Sequence, residues 1–280
     1  MKIKVIMTGG TIASEIHDNI INNNAQLDVV DCWQRENPQS DTQFVKVNIY
    51  SILSENIVID NWNTLLNELR CEVADYDGII ITHGSDTLSY TSGMVSIFCK
   101  DFHIPVVLTG SNKVLSDNTS NGIPNFHKAV DIIKREKVGV WTVFDSVYSA
   151  DSVQEADCFT DRFTSGRCFL PKPDFNKNVV LGNNVVIIKA YPFADYSMLN
   201  FDDRVRAVLL IGYHSGTANE HSVAVLNDKC KERGITLYLQ GQASEAGVYS
   251  STEAMEENGV VVLKDVTPEY AYAYLMFVNS

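Results

Sequence analysis

Apolar runs that alternate with helical patterns constrain this chain more than any other feature of its sequence. The run GIIIT (residues 78–82) is continuously apolar, as is typical of a central parallel strand, and VVLT (residues 106–109) has a similar character. A helical pattern follows each run, over residues 88–98 and 125–137. The alternation predicts right-handed β-α-β units, and therefore an α/β fold whose helices cover both faces of a parallel sheet.

The stretch MTGGTIA, residues 7–13, directly follows an apolar run and combines a glycine turn with a hydroxyl. Gly9 and Gly10 can adopt positive φ and allow a substrate to approach the backbone closely. Thr11 then stands at the carboxyl end of a buried strand, where open α/β sheets bind ligands. It is a candidate nucleophile beside free backbone N–H groups. A glycine-rich phosphate loop is the alternative, but neither GxGxxG nor GK[ST] is present at this turn.

Charge and cysteine spacing exclude several classes of function. The net charge of −13 argues against binding to nucleic acid or to anionic membranes. The six cysteines are scattered, without a CxxC pair or metal-ligand spacing, so we expect reduced, mostly buried thiols and no metal site. The amino terminus shows no signal-peptide pattern and no segment has the length of a membrane span, so we expect a cytoplasmic protein.

Hydroxyl and carboxylate side chains follow three of the predicted strands. In a parallel sheet such loops gather at one edge and can share a pocket. The order of residues matches neither a Ser-His-Asp triad nor a nucleophile elbow. His83 is either a general base or a structural hydrogen-bonding residue. The side chains predicted at this edge are Thr11, then Ser54 with Glu55, then Ser85 with Asp86.

Two hexapeptides give the chain a resemblance to a known family. TGGTIA (residues 8–13) and THGSDT (residues 82–87) resemble the two signatures of the bacterial-type L-asparaginase/glutaminase family. Each follows an apolar strand, and two such matches in order are specific. Supporting matches are LSENI (53–57), TGS (109–111), SNGIPN (120–125) and GYHSGTAN (212–219).

The resemblance implies an amidohydrolase that uses neither a metal nor an organic cofactor. It assigns the first nucleophile to Thr11 and the second catalytic hydroxyl to Ser85. It assigns binding of the substrate α-ammonium to Asp86 and of the α-carboxylate to Ser54. Further residues expected to contact substrate are Gly10, Glu55 and Ser111.

The resemblance also implies an assembly and a domain order. Family members usually form tetramers of intimate dimers, so we expect a homodimer or homotetramer in which a neighbour completes each site. Thr217, Asn219 and Glu253 are candidates for that contribution. The expected partners are small amides or amino acids, with no nucleic acid and no membrane. The predicted order is a flavodoxin-like amino-terminal domain (1–180), a linker (181–204) and a smaller carboxyl-terminal α/β domain (205–280).

The family's lid tyrosine is the first feature that this sequence lacks. No tyrosine occurs within residues 13–49. The polar, asparagine-rich residues 14–26 are either a mobile lid or a plain surface loop. Either His17 replaces the tyrosine, or Thr11 works unassisted.

The family's catalytic lysine is the second missing feature. Aligning DSVQEADCF with the corresponding loop places Glu155 where the lysine belongs. A carboxylate beside Asp86 would raise one of the two pKa values, whereas a lysine would lower that of the hydroxyl. Compensation could come from Lys113, in another loop of the same edge, or from Glu155 acting as a base.

Glu55 is the third departure, because a neutral or amide residue usually follows the loop serine. Its charge would repel a substrate α-carboxylate. At about 4 Å and an effective dielectric near 20, the repulsion is on the order of 4 kcal/mol. That corresponds to roughly a thousandfold in affinity. The alternative is that Glu55 points to solvent or to a neighbouring protomer.

Two functional hypotheses therefore stand. The first is an asparaginase-like amidohydrolase that releases ammonia from the side-chain carboxamide of asparagine or of a modified asparagine- or glutamine-like substrate. A substrate with a blocked carboxylate, or with a cation in its place, fits the charges better than free asparagine. The second is a catalytically impaired relative that binds a small ligand or interacts with a partner.

Overall fold

The computed structural model shows two compact units, Met1–Ser165 and Gly166–Ser280, each with its own mainly parallel sheet. The predicted fold class, a larger amino-terminal sheet domain and a smaller carboxyl-terminal one, is therefore confirmed. The boundary lies before the linker predicted at residues 181–204, because a strand in that segment, Val185–Lys189, pairs in register with the second sheet. The structure describes residues 1–18, 20–22, 27–71, 73–241 and 249–280.

The first unit contains ten strands and four α-helices within its described residues. The helices are α1 (Val29–Glu36), α2 (Ile59–Arg70), α3 (Leu88–Phe98) and α4 (Gly122–Lys134). Short 3-10 helices lie at Thr11–Ala13, Ser54–Asn56 and Val73–Asp75. The strands are β1 (Lys2–Gly9), β2 (Glu15–His17), β3 (Ile20–Asn22), β4 (Gln43–Ile52), β5 (Gly78–Thr82), β6 (Pro105–Thr109), β7 (Gly139–Phe144), β8 (Ser146–Ser149), β9 (Val153–Gln154) and β10 (Thr164–Ser165).

The large sheet has the order β4-β1-β5-β6-β7-β8, and only β8 is antiparallel to its neighbour. Counting the parallel strands along the chain, the order is 2-1-3-4-5, which is the flavodoxin-like arrangement. In such sheets the ligand crevice lies at the carboxyl ends of the strands, where the order reverses. The reversal falls between β1 and β5, the two strands that precede Gly10 and His83.

The core explains why the central strands read as apolar runs. Every residue of β5 and β6 is buried. Phe126 of α4 and Trp33 of α1 pack in one cluster with sheet residues such as Ile80. Helix α1 begins at Asp28, whose carboxylate accepts the Val30 N–H at 2.7 Å. This helix was not predicted, because only eight residues carry its pattern.

The second unit is a four-stranded parallel sheet with the order β11-β12-β13-β14. Two of its helices begin at side-chain caps, Asn219 and Thr267, and proline at the first position favours the last helix. Among described residues, no helix combines the length and apolarity needed to cross a membrane. Its elements are β11 (Val185–Lys189), β12 (Ala207–Ile211), α5 (Glu220–Glu232), β13 (Thr236–Gln240), α6 (Ser250–Glu257), β14 (Val261–Leu263) and α7 (Pro268–Val278).

All six cysteines lie in the described part of the chain and none is in a disulfide, in agreement with their scattered spacing. The expectation that most of them are buried is wrong, since only half are. The buried thiols are Cys32, Cys99 and Cys230, whereas Cys71 and Cys158 are exposed and Cys168 is intermediate.

Candidate active site

The turn after β1 requires both of its glycines. Gly9 and Gly10 have φ of 97° and 77°, values that residues with a side chain rarely adopt. A Cβ on Gly9 would lie 2.4 Å from the Ile52 carbonyl oxygen, and one on Gly10 would lie 2.3 Å from the Gly84 Cα. The Gly10 N–H donates to the Ile52 carbonyl at 2.8 Å. The turn is therefore pressed between the ends of β4 and β5.

Gly84 brings the Ser54 loop into the same contact. A Cβ on Gly84 would lie 2.4 Å from Ser54 Oγ and 3.2 Å from Gly10 Cα. The Thr87 hydroxyl donates to the Ser54 carbonyl at 3.1 Å. The three strand-end loops predicted to share an edge thus meet through backbone and one hydroxyl. Thr11 and Ser85 each follow one of the two touching glycines.

Thr11 begins a single 3-10 turn and is half-buried. The Ala13 N–H and the Ser14 hydroxyl both donate to the Gly10 carbonyl, at 2.9 and 2.8 Å. The N–H groups of Thr11 and Ile12 have no acceptor within the described part of the chain. A short helix leaves its first N–H groups unpaired, and here they lie beside a hydroxyl. This is a geometry that can stabilise an oxyanion.

Ser85 and Asp86 lie between β5 and α3. Ser85 is half-buried and Asp86 is exposed. Within the described residues, neither side chain makes a hydrogen bond or an ion pair. The missing lysine of the family is therefore not replaced by a described cation in contact with this pair. Both groups are available to a ligand.

His83 is fully engaged in the interior, which supports the structural alternative. Its Nδ1 lies 2.8 Å from the Gly84 carbonyl oxygen and its Nε2 lies 3.1 Å from the Thr91 hydroxyl. Burial lowers the pKa of the imidazole to about 4, partly opposed by the hydrogen bond to Gly84. A neutral ring with both nitrogens occupied and 1% exposure is poorly placed to act as a base.

Ser111 and Glu55, both predicted to contact substrate, have opposite environments. Ser111 is 0% exposed and packs against the start of α4, where a Cβ on Gly122 would lie 2.9 Å from its own Cβ. Such burial does not support a direct substrate contact. Glu55 is exposed, next to Ser54, which is 4% exposed. Water therefore screens any interaction of the Glu55 carboxylate with a ligand.

The two candidates for replacing the family lysine also differ. Lys113 Nζ donates to the Thr119 hydroxyl at 2.6 Å and lies 3.6 Å from the Asp117 carboxylate, so its contacts are with residues of its own loop. Its geometry does not favour compensation at Ser85. Glu155 is exposed and directly follows β9.

Asp161 is an acidic group near both Asp86 and Asp145, and the sequence singled out neither Asp161 nor Asp145. Partial burial, and then the carboxylates of Asp145 and Asp86, raises the pKa of Asp161 above its ordinary value. Asp145 and Asp161 both have positive φ, at 56° and 54°. The Asn121 amide donates to the Asp145 carboxylate at 3.0 Å. Residues other than glycine seldom adopt positive φ, and the spacing of apolar residues along the sequence does not reveal such turns.

The lid prediction falls partly outside the described residues. Within them, β2 pairs antiparallel with β3, so residues 15–17 and 20–22 form a small hairpin. The side chain of His17 lies outside the described part. Tyr50, one residue beyond the segment that lacks tyrosine, is half-buried in β4 beside the Thr8 hydroxyl. Burial raises its pKa, and the Thr8 hydroxyl partly opposes that rise.

Comparison with known families identifies the architecture around these loops. The family described as "Asparaginase, N-terminal" matches residues 2–171. The chain belongs to the asparaginase family. Membership supports amidohydrolase chemistry in general.

Two similar proteins have different names. An L-asparaginase of Thermococcus kodakarensis is 32% identical over 146 residues, covering 51% of this chain and 44% of that protein. A glutamyl-tRNA(Gln) amidotransferase component of Methanosphaera stadtmanae is 24% identical over 315 residues, covering 98% of this chain and 71% of that protein.

Solved structures match the whole chain. The thermostable L-asparaginase of Thermococcus kodakarensis superposes with a TM-score of 0.79 and 25% identity, covering 99% of this chain and 92% of that one. A probable cytoplasmic L-asparaginase of Campylobacter jejuni gives the same TM-score at 23% identity, covering 99% of this chain and 94% of that one. The latter match shows the fold alone.

Proposed function

We propose that the chain hydrolyses a carboxamide with Thr11 as the nucleophile. Thr11 attacks the amide carbon, ammonia leaves, and water resolves the acyl-enzyme. The unpaired N–H groups at the start of the 3-10 turn stabilise the oxyanion. The single observation that supports this proposal is the contact of Gly10 with Gly84, because Thr11 and Ser85 directly follow these two glycines.

Ser85 acts as the second hydroxyl, and Asp86 binds the α-ammonium of the substrate. Both side chains lack other partners among the described residues, which leaves them available for these roles. Ser54 meets the opposite end of the amino-acid moiety. Asp161, whose pKa is raised by partial burial and then by the carboxylates of Asp145 and Asp86, adds negative charge on the side of Asp86.

The substrate is an asparagine- or glutamine-like amide whose α-carboxylate is blocked, absent or replaced by a cation. The acidic groups around Asp86 support a cationic ligand. Glu55 disfavours a free carboxylate at Ser54, but its exposure reduces the effect. In water two charges about 4 Å apart interact by about 1 kcal/mol, which is roughly fivefold in affinity.

The nucleophile is tested by ammonia release from a panel of amides that includes L-asparagine and L-glutamine. Thr11→Ser keeps a hydroxyl, whereas Thr11→Val keeps the shape and removes it. We expect Thr11→Val to lose at least about a thousandfold in kcat and Thr11→Ser to retain measurable turnover. Equal activity of wild type and Thr11→Val would refute Thr11 as the nucleophile.

The charge argument is tested by 3-aminopropanamide, which is asparagine without its α-carboxylate. Glu55→Gln should lower KM for L-asparagine about fivefold and leave KM for 3-aminopropanamide unchanged. If Glu55 points away from the ligand, neither KM changes.

The alternative function is ligand binding without turnover. The absence of the family lysine and of a tyrosine in residues 13–49 favours it. It predicts that L-asparagine or 3-aminopropanamide raises Tm while no ammonia is released. Loss of that stabilisation in Asp86→Asn would locate the binding at the same edge.

We also propose that the chain works as a homodimer or homotetramer in the cytoplasm. Asn219 is the N-cap of α5, accepting the Ser222 N–H at 2.9 Å, so its first role is structural. Thr217 pairs with the Ser215 hydroxyl at 3.0 Å. Light scattering coupled to size-exclusion chromatography tests the assembly.

A further inference from the structure

A buried chain of polar groups connects α2 and α3 to the loop that carries Ser85. The Trp62 Nε1 lies 3.0 Å from the Thr91 hydroxyl, which lies 3.1 Å from His83 Nε2. His83 Nδ1 completes the chain at 2.8 Å from the Gly84 carbonyl oxygen. The three side chains are 6%, 0% and 1% exposed.

The donor and acceptor chemistry of these groups sets the direction of each hydrogen bond in the series. An indole N–H can only donate, so the Thr91 oxygen accepts from Trp62. The Gly84 carbonyl can only accept, so His83 Nδ1 carries a proton. A neutral imidazole then presents a lone pair at Nε2, and the Thr91 hydroxyl donates to it. Thr91 therefore selects the tautomer that binds the Gly84 carbonyl.

The direction of the Gly84 carbonyl fixes the neighbouring N–H. No cis peptide bond occurs in the described residues, and in a trans peptide the C=O and N–H point in opposite directions. Holding the carbonyl on the imidazole therefore turns the Ser85 N–H away from it. That N–H has no acceptor among the described groups. The Gly84 Cα is at the same time packed against Gly10.

We propose that Thr91 is a positioning residue for the Gly84–Ser85 peptide and acts through His83. It orients the Ser85 N–H and hydroxyl toward the substrate without touching the substrate itself. The role rests on the proposed amide hydrolysis, but the orientation of the peptide is a property of the free protein and can be measured without a substrate.

The test compares Thr91→Val, which removes the hydroxyl at constant shape, with Thr91→Ser, which keeps it. Ser96→Ala is the matched control, because this buried hydroxyl of the same helix donates to the Gly93 carbonyl, away from the loop. Nitrogen NMR of the histidine ring reports the tautomer, and the amide signals of Gly84 and Ser85 report the peptide orientation. The kcat and KM for L-asparagine and 3-aminopropanamide are measured in the same proteins.

We expect Thr91→Val to move the His83 ring signals and both amide signals, and to lower kcat about tenfold or more with KM changed less. Thr91→Ser should restore both readouts, and Ser96→Ala should lower stability without moving either. Should Thr91→Val not fold, Trp62→Phe, which removes the first donor and keeps Thr91, should move the same signals by a smaller amount.

The inference is overturned if these signals stay at their wild-type positions in Thr91→Val, or in Trp62→Phe when Thr91→Val does not fold. It is also overturned if the signals move and kcat of an active enzyme does not. If the wild type hydrolyses neither amide, the proposed hydrolysis fails for those substrates, and the ring and amide signals alone decide whether Thr91 positions the peptide.

Discussion

Two neighbouring parts of the sheet edge are held in place by different means. The glycine edge, residues 9–11, 52–54 and 83–86, is fixed by glycine backbone packed against its neighbours at distances that exclude a Cβ. The acidic loop, residues 155–163 between β9 and β10, is fixed by side chains that cap its own turns. Asp157, for example, accepts the N–H groups of Phe159 and Thr160 at 3.1 and 2.9 Å.

The difference separates what the fold provides from what a loop can vary. Strand pairing and glycine contacts define the position of Thr11 and Ser85, so these positions tolerate little change. The acidic loop is closed locally, so its charged residues can change without disturbing the sheet. The departure from the family at Glu155 lies on this second kind of structure, as does Asp161.

Gly10→Ala should have the largest effect, because its Cβ would meet the Gly84 backbone at 2.3 Å and its φ is 77°. We expect a loss of about 4 kcal/mol in the free energy of unfolding, or no folded protein. Gly234→Ala is the matched control, since its φ is 66° but its Cβ would meet no atom of the described residues within 4 Å, and it should cost about 1 kcal/mol. Urea unfolding measures both, and equal losses would contradict the role of backbone contact.

The neutral His83 should make stability fall as the pH falls. Its pKa of about 4 in the folded state lies below the unfolded value of 6.5, so between these values the unfolded chain binds more protons. The expected loss from this group between pH 6.5 and pH 4 is about 3 kcal/mol. His83→Gln should show a correspondingly shallower pH dependence in urea unfolding. If the free energy of unfolding changes equally with pH in both proteins, His83 is not the source of the pH dependence.

The acidic loop is tested by the titration of Asp161. Because Asp145 and Asp86 raise its pKa, removing either charge should lower it, with the larger shift for Asp145→Asn. Asp151→Asn is the control, as it is not among the groups that shift this pKa. Carboxyl-carbon NMR measures the titration, and no response to Asp145→Asn would mean that the acidic groups act independently.

Lys113→Met should have the smallest effect. Its ammonium pairs with Thr119 and Asp117 on the surface, so we expect stability to change by less than about 0.5 kcal/mol. We also expect less than a twofold change in kcat/KM for the best amide. A large loss of activity would restore Lys113 as the replacement for the family lysine.

The spacing of apolar residues predicted strands and helices well where a single apolar pattern extends over the whole element. The bounds of β5 and α3 coincide with those predicted, because their residues are buried almost throughout. Elements with weaker apolar patterns were not predicted. Helices α1 and α6 have eight residues each and were not predicted. The segment predicted as a linker, residues 181–204, contains β11, which pairs with a strand more than twenty residues further along the chain.

The sequence by itself determined the family, the order of strands and helices, and the glycines that permit the turn at Thr11. These depend on local period, on backbone freedom and on two contiguous motifs, all of which can be read along the chain. Only the tertiary structure decided that His83 is a buried hydrogen-bonding residue, that Ser111 is enclosed, and that Asp161 lies near Asp86 and Asp145. Burial and electrostatic range depend on distances between residues far apart in sequence, and those distances exist only once the sheet has formed.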